Sequence, residues 1–176
     1  SRDSRLETTR GWNLVGSLLY AGGFLGRDNY FWRPEVHLSR FQPLTNTPIK
    51  TLLALNLEAG LVSPFDGREV VPLERYYMGG ENSIRGFQFR SIYVTDEVTG
   101  LPVLQDGYFK GGDKFIQMNV ELQVLIGGPF RVILFADGGN VYDDDQSIDI
   151  SRLRTSAGGE LRIFVPIFGA PLRFIY

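Results

Sequence analysis

The sequence predicts an all-β fold, an antiparallel sheet built to cross a membrane. Three observations carry the prediction. Charged and apolar residues alternate with period two, the alternating runs are long for strands of an ordinary sheet, and the connections between them are by turns short and long. Between 118 and 126, Asn119, Glu121 and Gln123 fall on one face and Met118, Val120, Leu122, Val124 and Ile126 on the other. In a strand, successive side chains point to opposite faces, so one face of this segment is polar and the other uniformly apolar.

The same pattern recurs along the chain. In 30–39, Arg33, Glu35, His37 and Ser39 oppose Trp32, Pro34, Val36 and Leu38; in 153–165, Arg154, Ser156, Glu160 and Arg162 oppose Leu153, Ala157, Leu161, Ile163 and Val165. Strands are predicted at 10–21, 30–41, 49–61, 114–126, 130–141, 152–165 and 171–176, near the roughly ten residues that a tilted membrane strand needs. Glycine and proline punctuate them at Gly22-Gly23, at Pro43 with Pro48, at Gly127-Gly128-Pro129 and from Pro166 to Pro171. Connections 127–129, 166–170 and 42–50 are read as short periplasmic turns, and 22–29, 62–113 and 138–151 as external loops. A soluble β-sandwich has no reason to alternate in this way. Tyr20, Tyr30, Trp32, Trp12 and Tyr142 lie near predicted strand ends, where aromatic girdles meet the bilayer surface.

Composition narrows the function classes. The chain has 176 residues, 43% hydrophobic and 22% charged, and a mean hydropathy of -0.07, values shared by soluble domains and by barrels whose strands average out. Charged or polar residues interrupt every apolar run before the roughly eighteen residues of a membrane helix. A net charge of -2 with no basic block argues against a nucleic-acid surface, and the absence of cysteine removes thiolate catalysis and cysteine metal sites. Ser1-Arg2-Asp3-Ser4-Arg5 is not a signal peptide, so an export signal is expected upstream.

The most distinctive segment is Tyr76-Tyr77-Met78-Gly79-Gly80-Glu81-Asn82-Ser83-Ile84-Arg85-Gly86-Phe87. An arginine held inside a barrel needs carboxylate partners, because its charge cannot be titrated away and its planar fork favours paired oxygens. Glu121 and Asp137, on charged faces of neighbouring predicted strands, are candidates. The segment resembles the arginine-bearing loop of the BamA and TamA outer-membrane insertase superfamily, the bacterial surface antigen family: an aromatic-x-Gly-Gly approach, here Tyr77 to Gly80, precedes Ile84-Arg85-Gly86-Phe87. Leu134-Phe135-Ala136-Asp137-Gly138-Gly139-Asn140-Val141 resembles that family's aromatic-x-Asp-x-Gly-x-Val strand. Thr9-Arg10-Gly11 and Gly158-Gly159-Glu160-Leu161-Arg162 are weaker matches.

The resemblance implies a transmembrane antiparallel barrel of which this chain, residues 1–176, is the C-terminal half, with seven or eight of sixteen strands and the long external loop 62–113 descending into the lumen. It implies that Gly79, Gly80, Ile84, Arg85, Gly86 and Phe87 form a functional loop, with Glu121, Phe135 and Asp137 as the lumen partners of Arg85. The segment 169–176 is similar to the family's penultimate strand, which leaves a closing strand missing; pairing of 87–95 as an eighth strand is the alternative. The implied work is assembly and insertion of β-barrel proteins into the outer membrane of a Gram-negative-type bacterium, through an unstable seam and a thinned bilayer rather than covalent chemistry. The implied partners are outer-membrane lipid, unfolded barrel clients, upstream periplasmic polypeptide-transport-associated domains and accessory assembly proteins. No enzyme activity, cofactor, nucleotide or nucleic acid is expected. A passive porin-like channel and a soluble β-sandwich binding module are the competing readings.

Other chemistry finds little support. Asp143-Asp144-Asp145 with Asp149 lacks the glycine and terminal glutamate of an EF-hand loop and reads as an exposed external loop. Gly79-Gly80, Gly111-Gly112 and Gly138-Gly139 lack the strand-to-helix context of a phosphate cradle. His37, beside Arg33 and Glu35 on one strand face, reads as a lumen hydrogen-bonding group.

Overall fold

A computed structural model describes residues 8–22, 30–45, 49–65, 69–165 and 171–176. The strands are β1 (Gly11–Ala21), β2 (Phe31–Thr45), β3 (Lys50–Leu61), β4 (Ser63–Pro64), β5 (Leu104–Gln105), β6 (Tyr108–Phe109), β7 (Lys114–Gly127), β8 (Phe130–Tyr142), β9 (Arg154–Phe164) and β10 (Pro171–Ile175). Seven long elements form one antiparallel sheet in the order β1-β2-β3-β7-β8-β9-β10, with β4 added on β2. Among the described residues the helical elements are two three-residue 3-10 turns, Pro72–Glu74 and Ile150–Arg152. The outer strands β1 and β10 do not pair with each other, so the sheet is an unclosed part of a barrel. Among the described residues the other sheet is the two-stranded ribbon β5–β6, so two large sheets packed face to face, as in a soluble sandwich, are not the arrangement seen.

The faces are inverted relative to a soluble protein. Register pairs Asn56 with Asn119, Ala54 with Glu121, Glu121 with Phe135, Asn119 with Asp137, Asp137 with Ser156 and Ile133 with Glu160, so these side chains share one concave face. On that face Gln123 is 2% exposed, Glu121 8% and Asp137 3%, while on the opposite face Met118 is 47% and Leu134 59% exposed. Polar residues inside and bulky apolar residues outside are what a lipid-facing wall around an aqueous or filled lumen requires. β2, β3, β7 and β8 have 15, 12, 14 and 13 residues, enough to cross at a tilt with a rim to spare.

The apolar core sits inside this wall, where the long loop packs against it. Met78, Ile84, Ile92, Val94 and Val141 are buried together, with Tyr76, Phe87, Val103 and Phe115 around them. A smaller cluster joins Phe31, Val62 and Val70 near the rim.

Several boundaries differ from the sequence reading. β2 continues through Pro43 to Thr45, because a register shift between Pro43 and Thr45 absorbs the proline's missing N–H. β4 prolongs the β3 pairing in the same register after a break opposite Arg33 and Pro34, where proline again has no donor. The connection expected at 138–151 starts only at 143, since Gly138 and Gly139 are strand residues of β8. Residues 87–95 form no eighth strand; they make isolated bridges, Met78 to Ile92 and Thr95 to Pro102, that fold the loop on itself. Trp12, Tyr20 and Trp32 are exposed on the outer face as a girdle requires, but Tyr142 is 3% exposed. Its hydroxyl donates to the Asp149 carbonyl at 2.6 Å under the following loop. Connections 23–29, 46–48 and 166–170 lie outside the described residues.

Candidate functional site

The site is a single arginine carried by a loop into the polar wall. The chain turns back at Gly79 and Gly80, whose φ values of 101° and 106° are open to glycine and strained for other residues. A Cβ at Gly79 would also stand 2.4 Å from the Gln88 carbonyl oxygen. Gly86, at φ 84°, makes the reverse bend. The Gly80 amide donates to the Phe87 carbonyl at 3.0 Å and the Ser83 amide to the Gly80 carbonyl at 3.1 Å, which closes the tip into a compact knot.

That knot is fastened to the wall at several points. Ser83 donates its hydroxyl to Gln117 Oε1 at 3.0 Å, and Asn119 Nδ2 donates to the Ser83 carbonyl at 2.9 Å. Ile84, fully buried, enters a notch in β8: a Cβ built at Gly139 would lie 2.5 Å from Met78 Cε and 3.0 Å from Ile84 Cδ1. Nearer the rim, the Tyr76 hydroxyl donates to Glu35 at 2.9 Å and Arg33 pairs with Glu74 at 2.9 Å. His37 shares the lumen face with these groups, pairing with Glu58 at 2.8 Å and sharing a 2.7 Å hydrogen bond with Ser39.

Arg85 is 3% exposed. Its Nε and Nη2 donate to the two oxygens of Asp137, each at 2.7 Å, a bidentate fork, and its backbone amide donates to Asp137 Oδ2 at 3.1 Å. Nη1 donates to Glu121 at 2.8 Å and to Glu160 at 2.9 Å. The guanidinium carbon lies 3.7 Å from the centre of the Phe135 ring, and that ring covers Gly158, where an added Cβ would stand 2.7 Å from Phe135 Cζ. The positions predicted on the loop (Gly79, Gly80, Ile84, Arg85, Gly86, Phe87) and on the wall (Glu121, Phe135, Asp137) thus come together in one place.

Glu160 completes the acidic set and was not foreseen as an Arg85 partner. Its position was readable on the charged face of β9, but only the β8–β9 register, which sets Glu160 against Ile133, brings it beside the loop. Arg162 and Arg173 join it at 2.7 Å each. Three arginines, Arg85, Arg162 and Arg173, therefore meet three carboxylates, Glu121, Asp137 and Glu160, so the ion-paired set is balanced in charge. An isolated buried charge would cost several kcal/mol, so this balance is what makes a buried docked arginine tolerable.

A second charged cluster lies at the rim. Arg75, 8% exposed, approaches Asp113 at 3.4 Å and Asp143 at 3.7 Å, and Lys110 binds Asp143 directly. Asp143 is therefore a tied residue within the acidic loop expected to be exposed, whereas Asp144 and Asp145 beside it are exposed. Burial pushes the Asp113 carboxyl up to about 6 against the pull of Arg75, with Asp143 adding to the rise. Burial works the same way on Asp143, but the Lys110 ammonium and the Asp144 amide hold it below the usual carboxylate range. No group of acidic or histidine side chains among the described residues is arranged to hold a metal ion.

Fold and site define a class: a transmembrane β-barrel segment with one of its own loops docked in the lumen through a buried arginine. The comparisons agree and go further. The chain belongs to the Omp85 superfamily, whose domain model, the "Omp85 superfamily domain", matches residues 1–176. It is 28% identical over 178 residues to the outer membrane protein assembly factor BamA of Nitratidesulfovibrio vulgaris, an alignment covering 99% of this chain and 21% of that protein. The crystal structure of BamA from Haemophilus ducreyi lacking POTRA domains 1-3 superposes with a TM-score of 0.76 at 24% identity, over 100% of this chain and 36% of that one, and shares its fold. The chain is accordingly an outer-membrane barrel portion, spanning about a fifth of the length of the curated relative it matches.

Proposed function

We propose that this barrel portion serves an insertase that assembles and inserts β-barrel proteins into the outer membrane. The observation that carries the reading is the docking of Arg85 onto Asp137, Glu121 and Glu160, in a wall whose outer face is apolar. A passive pore has no need of a loop held across its lumen by a charge-balanced cluster. The name of the Nitratidesulfovibrio relative, an outer membrane protein assembly factor, supports the same class of work. Its partners are outer-membrane lipid, unfolded barrel clients, upstream polypeptide-transport-associated domains and accessory assembly proteins. Strand edges template pairing with incoming strands, so the work needs no covalent step and no cofactor.

The test uses the full-length protein in liposomes with its accessory factors. Urea-denatured client barrels should acquire protease resistance at a rate that falls at least roughly tenfold with Arg85→Ala, the effect of losing a charged hydrogen bond. High single-channel conductance with no client assembly would support a porin-like channel and overturn the proposal.

A further inference from the structure

Of the three acids, Glu160 is the one that pairs with all three arginines, and its connections reach beyond the loop. Its side chain is fully buried. Oε1 accepts from Arg162 Nε and Arg173 Nε, both at 2.7 Å, and Oε2 accepts from Arg85 Nη1 at 2.9 Å and Arg173 Nη2 at 3.0 Å. A carboxylate offers about four acceptor sites, so Glu160 is saturated. Its three partners belong to the docked loop, to β9 and to β10.

The β9–β10 register makes this sharing consequential. Arg173 lies directly opposite Arg162, and like charges facing each other across a strand pair are destabilising. The Glu160 carboxylate stands between them and binds both. β10 is short, Pro171–Ile175, and among the described residues it pairs only with β9. Arg173 also donates from Nη1 to Asn82 Oδ1 at 3.1 Å, which links β10 directly to the loop tip. Asp137, by contrast, holds Arg85 and Asn119 and makes no ion pair with β10.

We infer that Glu160 is a positioning residue with two duties: it holds Arg85 in the docked loop and neutralises the facing Arg162 and Arg173, so that one carboxylate secures both the loop and strand β10. This adds to the insertase reading a specific tie between the docked loop and the outermost strand of the described sheet. It does not depend on any client.

Hydrogen exchange in the full-length protein in nanodiscs tests it on two segments, 79–87 and 171–176. Glu160→Gln should raise exchange in both, on the order of tenfold, since it removes a charge partner from each. Asp137→Asn should raise exchange in 79–87 and leave 171–176 within about twofold. Adding Arg173→Gln to Glu160→Gln removes the facing like charges, so it should restore protection in 171–176 while 79–87 stays loose. The inference is overturned if Glu160→Gln moves only one segment, if Asp137→Asn loosens 171–176 as much as Glu160→Gln does, or if Arg173→Gln rescues nothing. A variant that fails to assemble is replaced by Glu160→Asp, with the same two segments read and the same pattern required at smaller size. Neither readout involves client insertion, so failure of this inference and failure of the insertase proposal are separate results.

Discussion

Arg85 is held by more than one acid, and that decides how its neighbours behave on mutation. Removing it leaves Asp137, Glu121 and Glu160 crowded in a buried site, with the ion pairs to Arg162 and Arg173 remaining. Removing Asp137 leaves Arg85 still paired with Glu121 and Glu160. Arg85→Ala is therefore expected to weaken docking by about 3–5 kcal/mol, the range for breaking a buried ion pair, and Asp137→Ala by less. Limited proteolysis within 79–86 reads the order directly; equal nicking rates for the two variants would mean that Glu121 and Glu160 carry none of the load. Arg85→Lys should fall between wild type and Arg85→Ala, because an ammonium cannot reproduce a bidentate fork while reaching two further carboxylates.

At the scale of elements, each strand has a lipid face and a lumen face with opposite tolerances. Leu134 is exposed on the outer face of β8, one residue from the buried Phe135. Leu134→Arg is expected to destabilise the barrel by about 2–4 kcal/mol if it sits near the bilayer midplane, measured by urea unfolding in liposomes. An effect under 1 kcal/mol would place that position outside the hydrocarbon. The rim cluster makes a different prediction, in pH. Asp113 titrates near 6 when folded and near 3.9 when unfolded, so between those values the folded state binds more protons. Stability from this group is full below about pH 4 and is lost as pH rises to about 6. Asp143, held below its ordinary value, acts the other way: its contribution is present above about pH 4 and is lost as pH falls through its folded pKa. Asp113→Asn should therefore flatten the decline in loop stability between about pH 4 and 6 and leave the acid loss below that range in place. A decline unchanged by the substitution would exclude Asp113 as its source.

Across the whole molecule, what was legible in the sequence was whatever consecutive residues encode. Alternation placed Asn119, Glu121 and Gln123 on one face because period two is a local property, and the glycine-arginine loop with its matching aspartate strand pointed to Arg85 and Asp137. Glu160 was visible on the charged face of β9, yet its meeting with Arg85 depends on strand register, which consecutive residues do not state. The Arg75, Asp113 and Asp143 cluster joins groups far apart in the chain, so no local pattern announces it. The end of β2 differs from the sequence reading because Pro43 reads as punctuation, whereas a register shift accommodates it; β8 runs through Gly138 and Gly139 as its strand pattern predicts, and what the pattern does not state is that Gly139 is a seat for Ile84. The central claim is that the loop is docked in the lumen by Arg85, and one cross-link tests it. Ser83 and Gln117 touch at 3.0 Å, so Ser83→Cys with Gln117→Cys in the full-length protein in outer membranes should be joined efficiently by a short thiol-to-thiol reagent. The yield should collapse when Arg85→Ala is added; no cross-link with Arg85 present, or a yield unchanged by its removal, would contradict the docked loop.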